Sequence, residues 1–157
     1  MDASALPQDL RGALVVAVED SPASREALRW AARLASGLGQ PLHVLSVWNF
    51  VNGQRPFDQG ADETPTLAKW QAHAEARLRE LVAGELPDAG SGTTVHPTAL
   101  HGNTVPTLLA VSELAGHLIV GTRGRGGFTG LLLGSTSDQL TRYASCPVTI
   151  VRRVPTH

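Results

Sequence analysis

Glycine and hydroxyl side chains are concentrated in one stretch of the chain, residues 121–140. Gly121 is followed after two residues by Gly124, and nine residues later come Gly134 and Ser135. Glycine costs backbone entropy on folding, so a loop rich in it indicates a need for positive φ or for close approach of the backbone to a ligand. A helix that begins at Ser135 would present amide groups and a positive dipole end, which attract anions. The spacing therefore predicts a loop that holds phosphate groups.

Hydroxyl and guanidinium side chains accompany these glycines. Thr136 and Ser137 add hydroxyl groups at the predicted helix start, and Arg123 and Arg125 add positive charge to the loop. Hydroxyl groups at a helix start are also ordinary N-caps, so a purely structural interpretation stays open. The two best-known nucleotide fingerprints are absent. No Gly-x-x-x-x-Gly-Lys-Ser/Thr occurs, and residues 16–24, in and after the first apolar run, contain no glycine.

Short apolar runs alternate with stretches of helical periodicity along the chain, which predicts βαβ units around a parallel sheet. Such a sheet reverses its strand order at one point, and ligands bind there. If the first and fourth strands are neighbours, the glycine-rich loop faces residues 19–21. Pro97 favours an edge position for the third strand, and Ser21 before Pro22 predicts the start of the first helix. The predicted strands are 13–18, 42–48, 94–100, 117–121 and 147–151, and the predicted helices are 21–37, 67–84, 105–116 and 135–144.

Length and composition limit the class of protein. The 157 residues suffice for one domain, and 13 Lys and Arg against 14 Asp and Glu give a net charge of −1, which recruits neither nucleic acid nor an anionic membrane. Cys146 is the lone cysteine, so no internal disulfide can form. No apolar run reaches the roughly 20 residues of a membrane span, and the start lacks the features of a secretory signal. We therefore expect a cytoplasmic protein with neither nucleic acid nor a membrane as partner.

Two stretches together resemble the universal stress protein family: VVAVEDSPASREALRWA (15–31) and IVGTRGRGGFTGLLLGSTSDQLTRYASCPVTIV (119–151). The resemblance runs from residue 12 to 153, which leaves a tail at each end, 1–11 and 154–157. The Gly-2x-Gly-9x-Gly-Ser spacing is similar to the ATP-binding signature of that family. The resemblance implies an α/β fold, a single doubly wound, Rossmann-like parallel sheet of five strands in the order 3-2-1-4-5 with helices on both faces.

The same resemblance implies a nucleotide site and an assembly. ATP, with or without Mg²⁺, would lie over the ends of the first and fourth strands, with its phosphates against the glycines and hydroxyl groups of the loop and helix. Adenine would lie near Ala17, Val18 and Val47. The protein would form a homodimer through its last strand, residues 147–151. The nucleotide-binding residues carried over are Ala17, Val18, Glu19, Ser21, Val47, Val120, Gly121, Arg123, Gly124, Gly134, Ser135, Thr136 and Ser137.

The sequence departs from the family after the first strand. The family has an Asp that hydrogen-bonds the nucleotide, commonly followed by Gly, whereas this chain has Glu19 and Asp20. Two carboxylates repel a triphosphate unless Mg²⁺ or arginines intervene, so binding would be weaker or more dependent on metal. Alternatively, Glu19 points outward and Asp20 only helps to cap the first helix. The residues leave both interpretations open.

Other residues give little indication of chemistry. The six histidines lack ligand spacing such as His-x-x-x-His, so we predict no metal site built by the protein alone. Ser21 lacks the Gly-x-Ser-x-Gly context of a nucleophile, and we assign no catalytic residue. Trp30 and Trp70 fall on helical faces that favour core or interface positions. Residues 49–65 form a long connection, which predicts a mobile lid, a partner-binding segment or a plain surface loop.

Three functions remain open at this point. The first is an ATP-binding homodimer that reports energy state to an unidentified regulatory partner in a stress response, with little or no catalysis. The second is a slow Mg²⁺-dependent ATPase or autokinase. In that enzyme Glu19 or Asp20 would hold the metal ion, and Ser135, Thr136 or Ser137 would be phosphorylated. The third is a protein-interaction module whose nucleotide site is idle.

Overall fold

The computed structural model describes residues 6–52, 66–87, 92–122 and 133–152. The strands are β1 Leu14–Ala17, β2 Leu42–Trp48, β3 Val95–His101, β4 His117–Gly121 and β5 Val148–Val151, and the helices are α1 Pro22–Leu38, α2 Leu67–Glu85, α3 Thr104–Ser112 and α4 Ser135–Tyr143. All strand pairs are parallel, and the order is β3-β2-β1-β4-β5. The predicted strand order is confirmed, and the strand that contains Pro97 lies at an edge as expected.

Side chains of the central strands point alternately into two cores, one on each face of the sheet. Val16 and Ile119 belong to the core that includes α1 and α2, whereas Val15 and Leu118 belong to the core that includes α3 and α4. All four side chains are fully buried. A strand that is buried on both faces needs apolar residues at successive positions, which explains the continuous apolar run at 13–18.

The start of α1 is the one that its sequence predicts. Ser21 is the N-cap and Pro22 occupies the first helical position. The hydroxyl group of Ser21 accepts a hydrogen bond from the Ser24 amide at 3.2 Å, and the Ser24 hydroxyl accepts one from the Ser21 amide at 3.1 Å. This reciprocal capping box fixes the direction in which the chain leaves β1. At the other end, Gly39 takes the left-handed conformation (φ +64°) that ends a helix.

The end of α2 differs from its prediction. The helix continues through Gly84, which was expected to end it, and its last residue is Glu85. The carboxylate of Glu85 pairs with Arg25 and Arg29 of α1. These ion pairs hold the last turn of α2 against α1, so the low helix propensity of glycine does not decide the boundary.

The end of α3 is also earlier than predicted. The helix stops at Ser112 instead of residue 116, and residues 113–116 turn into β4. Gly116 lets this turn lie close to the chain at Gly12, because a Cβ at position 116 would lie 2.5 Å from the carbonyl oxygen of Gly12. None of the helices in the described ranges is long and apolar enough to cross a membrane.

The residues just before β1 pack on the sheet. A short 3-10 helix spans Gln8–Leu10. Leu6 and Leu10 are 3% and 1% exposed and join the core beneath α3 and α4. The segment predicted as an N-terminal tail therefore contributes to the core from Leu6 onward.

Candidate functional site

A cleft of about 400 Å³ opens where the carboxyl ends of β1 and β4 meet. β1 lies between β2 and β4, so this is the point at which the strand order reverses. Walls come from both strand ends and from the helices around them. The described lining residues are Ala17, Val18, Glu19, Asp20, Ser24, Ser46, Val47, Trp48, Asn52, Trp70, His73, Ala74, Arg77, Leu78, Leu81, Thr104, Leu108, Val120, Gly121, Gly134, Ser135, Thr136 and Ser137.

The start of α4 forms one wall of this cleft. Its N-cap is Gly134, in an extended conformation (φ −75°, ψ 162°), and no capping side-chain hydrogen bond to it occurs in the described part of the chain. Ser135 and Thr136 follow as the first helical residues, so their hydroxyl groups belong to the first turn of the helix and are not N-caps. A helix start that lacks a side-chain acceptor leaves backbone amides available to an anion.

Ser137 connects this helix start to the end of β4. Its side chain is 4% exposed, and its hydroxyl group donates to the carbonyl oxygen of Gly121 at 2.7 Å. The Thr122 carbonyl oxygen lies 3.3 Å from the same hydroxyl group and also accepts the Gly134 amide at 2.7 Å. Ser137 therefore holds α4 in place over the strand end.

Gly121 is required by packing between β4 and α1. A Cβ at this position would lie 2.7 Å from the carbonyl carbon of Ala23 and 2.9 Å from the amide nitrogen of Ser24. Backbone atoms in the first turn of a helix cannot move away without disrupting the helix. The glycine therefore lets the end of β4 contact the start of α1.

The loop between β1 and α1 presents two carboxylates to the cleft. Glu19 is exposed and lines the cleft. Asp20 has φ +66°, a left-handed conformation that favours glycine. The N-cap of α1 is Ser21, which forms a capping box with Ser24.

Asp20 instead takes part in an ion-pair network between α1 and α2. Its Oδ1 contacts Arg25, and its Oδ2 lies 3.2 Å from a guanidinium nitrogen of Arg77. Arg25 also contacts Glu85 at 2.6 Å, and this hydrogen bond, with those to Asp20, raises the pKa of Arg25. Glu85 extends the network to Arg29. The charge of Asp20 is therefore compensated by arginines of the protein itself.

One face of α2 forms the outer wall of the cleft, and the sequence did not predict it. Trp70, His73 and Arg77 line the cleft from successive turns of this helix. Their spacing of three and four residues places them on one side of a helix. The spacing is visible in the sequence, but it overlaps the apolar face of α2, which includes Leu78. The sequence of α2 therefore contains no local signal that distinguishes residues lining the cleft from residues packed in the core.

Aromatic rings close the end of the cleft near β2. The rings of Trp48 and Trp70 are almost parallel, with an interplanar angle of 6° and centroids 6.1 Å apart. Phe50 packs edge-on against both, and His101 lies 4.6 Å from Trp48 between ring centroids. Trp70 thus packs in an aromatic cluster and lines the cleft at the same time.

The first residues after β2 are attached to the start of α3. The side-chain oxygen of Asn49 accepts the Asn52 amide at 2.9 Å, and its side-chain nitrogen donates to Asn103 at 3.2 Å. Asn52 lines the cleft. The predictions made for the connection 49–65 otherwise fall on residues 53–65, which lie outside the described residues.

Comparison with known proteins now places the chain. The sequence model of one protein family, the universal stress protein family, matches residues 11–152. The chain belongs to this family. A universal stress protein of Mycobacterium tuberculosis, Rv1996, is 33% identical over 154 residues, which cover 90% of this chain and 48% of the relative. One from Mycolicibacterium smegmatis is 34% identical over 147 residues, which cover 92% and 47%. The chain thus spans about half the length of the curated relatives it matches.

Solved universal stress proteins share the fold. UspA from Lactobacillus plantarum is 17% identical with a TM-score of 0.68, covering 90% of this chain and 99% of that chain. A universal stress protein from Archaeoglobus fulgidus in complex with dAMP is 19% identical with a TM-score of 0.58, covering 90% and 98%. Another, in complex with cAMP, is 23% identical with a TM-score of 0.63, covering 91% and 98%. The predicted Rossmann-like α/β fold is confirmed by these likenesses.

The cleft brings together most of the residues that resemblance to universal stress proteins had suggested. Ser21 is not among the lining residues, since it is buried as the N-cap of α1. Arg123 and Gly124 lie outside the described residues. Within residues 6–52, 66–87, 92–122 and 133–152, no group of three or more His, Cys, Asp or Glu side chains could hold a metal ion. The predicted residues that line the cleft are Ala17, Val18, Glu19, Val47, Val120, Gly121, Gly134, Ser135, Thr136 and Ser137.

Proposed function

We propose that the chain binds an adenine nucleotide, ATP, in the cleft between β1 and β4 and acts as a nucleotide-dependent regulatory module in a stress response. The observation that carries this proposal is the start of α4. Its cap is a glycine without a side-chain acceptor, and its first turn lines the cleft. Phosphate oxygens are suitable acceptors for such amides, and their negative charge is stabilised by the helix dipole.

The residues of the cleft fit an adenine nucleotide in both polarity and position. Ser135 and Thr136 would contact the phosphates, together with Gly124 and Arg123 of the preceding loop. Val18 and Val47 offer apolar contacts at the ends of β1 and β2, where the base would lie. Two solved universal stress proteins with this fold are described as complexes with dAMP and cAMP, which supports an adenine nucleotide as the ligand class.

Binding without efficient catalysis is the version of this function that the site supports best. The buried hydroxyl group of Ser137 donates to the Gly121 carbonyl oxygen, so its proton is directed to the backbone and not to a general base. An autokinase would need an activated hydroxyl group in line with the transferred phosphate. This contact favours a ligand-binding role over phosphorylation at Ser137. Mg²⁺ would enter with the nucleotide.

The assembly we propose is a homodimer through the last strand. β5 lies at an edge of the sheet and pairs with β4 on one side. An edge strand offers unpaired backbone groups to a second chain. Curated relatives about twice as long as this chain would accommodate two such units. An unidentified regulatory partner, a cytoplasmic location and the absence of nucleic-acid or membrane partners stay predictions.

Calorimetric titration of nucleotide-stripped protein with ATP tests this proposal directly. The titration is performed with and without Mg²⁺ and repeated for Gly124→Val, whose side chain would prevent close approach of the loop backbone to the phosphates. Gly37→Val is the matched control. Gly37 lies within α1, a Cβ added there would meet no atom within 4 Å, and valine has a higher helix propensity than glycine.

The expected result is micromolar binding of ATP that Gly124→Val abolishes and Gly37→Val retains. Phosphate release should equal that of buffer over the same period. Absence of ATP binding by the unmodified protein would contradict the proposal, and Mg²⁺-dependent phosphate release that is lost in Glu19→Ala would replace it with an ATPase.

A further inference from the structure

Asp20 lines the cleft with an unusual backbone conformation and with a carboxylate held in two ion pairs. Among the described residues it is the one non-glycine with positive φ, at +66°. Aspartate and asparagine tolerate this conformation better than other side chains do. Its carboxylate contacts two guanidinium groups at once, from Arg25 on one oxygen and Arg77 on the other. The position thus retains a strained aspartate that pairs with arginines of two helices.

The two arginines differ in their access to the cleft. Arg25 has a second anionic partner, Glu85, at 2.6 Å and is not among the lining residues. Arg77 lines the cleft with a side chain that is 35% exposed, and the ion pair described for it is the one to Asp20, at 3.2 Å. An anionic group that enters the cleft can therefore reach Arg77, but it has to compete with Asp20.

Charge in the cleft makes this competition important. Among the described lining side chains, the carboxylates of Glu19 and Asp20 stand against the one guanidinium group of Arg77. An ion pair that is already formed attracts a further anion less strongly than an unpaired guanidinium does. As long as Asp20 holds Arg77, the polyphosphate of a ligand gains little from this wall.

We propose that Asp20 lowers the affinity of the cleft for phosphate groups by holding Arg77, and that neutralisation of Asp20 makes Arg77 a second phosphate-binding group opposite α4. This inference rests on the proposed function and deepens it, since it names the pair that limits affinity for the charged part of the nucleotide. Asp20 is thus a specificity-determining residue. It favours ligands whose remaining contacts are strong enough to displace a carboxylate.

The test compares three ligands on four proteins by calorimetry at low salt. The ligands are ATP, adenosine and inorganic tripolyphosphate, and the proteins are the unmodified chain, Asp20→Asn, Arg77→Gln and the double variant. Asparagine keeps the shape of the side chain and tolerates φ +66°. Glu26→Gln is the matched control, because it removes a carboxylate paired with Arg29 in the same network but away from the cleft lining.

Asp20→Asn should bind ATP and tripolyphosphate about two- to fivefold more tightly than the unmodified chain, as expected for one partly exposed ion pair. Adenosine affinity should stay the same. The gain should disappear in the double variant, since it requires Arg77. Glu26→Gln should show less than a twofold change.

Several results would overturn the inference. These are an unchanged affinity for both phosphate ligands in Asp20→Asn, an equal gain for adenosine, a gain that persists without Arg77, or no binding of either phosphate ligand by any variant. If ATP binds to none of the proteins while tripolyphosphate shows the Arg77-dependent gain, the proposed nucleotide function fails and this inference stands. Should Asp20→Asn fail to fold, Asp20→Gly replaces it, because glycine is favoured at this φ.

Discussion

Two helices, α1 and α4, begin beyond the carboxyl ends of the neighbouring strands β1 and β4, yet the first turns of these helices differ in chemistry. α1 begins with Ser21 and Ser24, whose side chains and amides satisfy each other, and α4 begins with Gly134, which has no side chain to offer. Carboxylates precede α1, whereas hydroxyl groups occupy the first turn of α4. Side chains of the protein thus accept hydrogen bonds from backbone amides at the start of α1, whereas no side-chain cap is described at the start of α4. The ligand site that we propose depends on this difference, because a side-chain acceptor at position 134 would compete with phosphate for the amides of α4.

Replacement of Gly121 by alanine should have the largest effect, because this residue lets the two helix starts share one strand end. The new methyl group would lie 2.7 Å from backbone atoms of Ala23. Overpacking of this kind should lower the free energy of unfolding by about 3 kcal/mol. Urea denaturation measures the loss. Gly37→Ala, with no atom within 4 Å, should instead gain up to about 1 kcal/mol, and equal stability of the two variants would contradict this account of Gly121.

Gly134→Asp would make the start of α4 resemble that of α1. A carboxylate at the N-cap can accept amide hydrogen bonds of the first turn, so the protein should be as stable as before or gain about 1 kcal/mol. The same carboxylate would repel phosphates and occupy their donors. Affinity for ATP should therefore fall at least about tenfold by calorimetry. Thr66→Asp is the control, because Thr66 is the N-cap of α2 and does not line the cleft. Retained ATP affinity in Gly134→Asp would mean that the amides of α4 do not bind phosphate.

Ser21→Ala should have the opposite effect: it should lower stability and leave ATP affinity almost unchanged. Loss of this buried cap leaves the Ser24 amide without its acceptor and should lower the free energy of unfolding by about 1 kcal/mol, measured by thermal or urea denaturation. ATP affinity of the folded protein should change less than twofold. A larger loss of affinity without loss of stability would show that Ser21 contacts the ligand, as the resemblance to universal stress proteins first suggested.

The amino-terminal end of β2, away from the cleft, offers a smaller effect that should leave both helix starts unchanged. His43 is 4% exposed at the beginning of β2, near Asp9, and its ring stacks on that of His96. Burial lowers the pKa of His43 from its usual 6.5; Asp9 opposes this and His96 adds to it. The unfolded chain therefore binds more protons, and stability present above pH 6.5 is lost as the pH falls through the folded-state pKa.

We expect the free energy of unfolding to decline from pH 7 to pH 5 by less than the loss in Ser21→Ala. In His43→Gln the decline should be smaller. The pH dependence of ATP affinity over the same range should be the same in His43→Gln and in the unmodified protein. If the stability of both proteins depends on pH in the same way, protonation of His43 does not cause the decline.

Much of the fold was predictable because its signals are local. A strand buried on both faces needs an unbroken apolar run, as at residues 13–18, and Ser21 before Pro22 marks a helix start. Likewise, an edge strand tolerates proline, as at Pro97. Helix ends were less predictable. α2 extends one residue past Gly84, to Glu85, whose carboxylate pairs with Arg25 of α1.

The candidate site also has a part that the sequence predicts and a part that it does not. The part at the carboxyl ends of β1 and β4 was predictable, since the glycine and hydroxyl spacing lies within one short segment. The wall formed by α2 was not, because its rotation about its own axis is fixed by contacts with distant residues. Asp20 and Arg77, 57 positions apart in the sequence, illustrate this limit. No local sequence pattern around Asp20 or Arg77 indicates that their side chains form an ion pair.

The parallel indole rings near the cleft have a spectroscopic consequence. Trp48 belongs to β2 and Trp70 to α2, and the chain has three tryptophans in all. Two indole rings held 6.1 Å apart in fixed, chiral surroundings contribute to the near-ultraviolet circular dichroism of the folded protein. Any displacement of α2 from the sheet changes that signal and the fluorescence of Trp70. The protein therefore carries its own optical reporter of the position of this helix, and no label has to be attached to follow it.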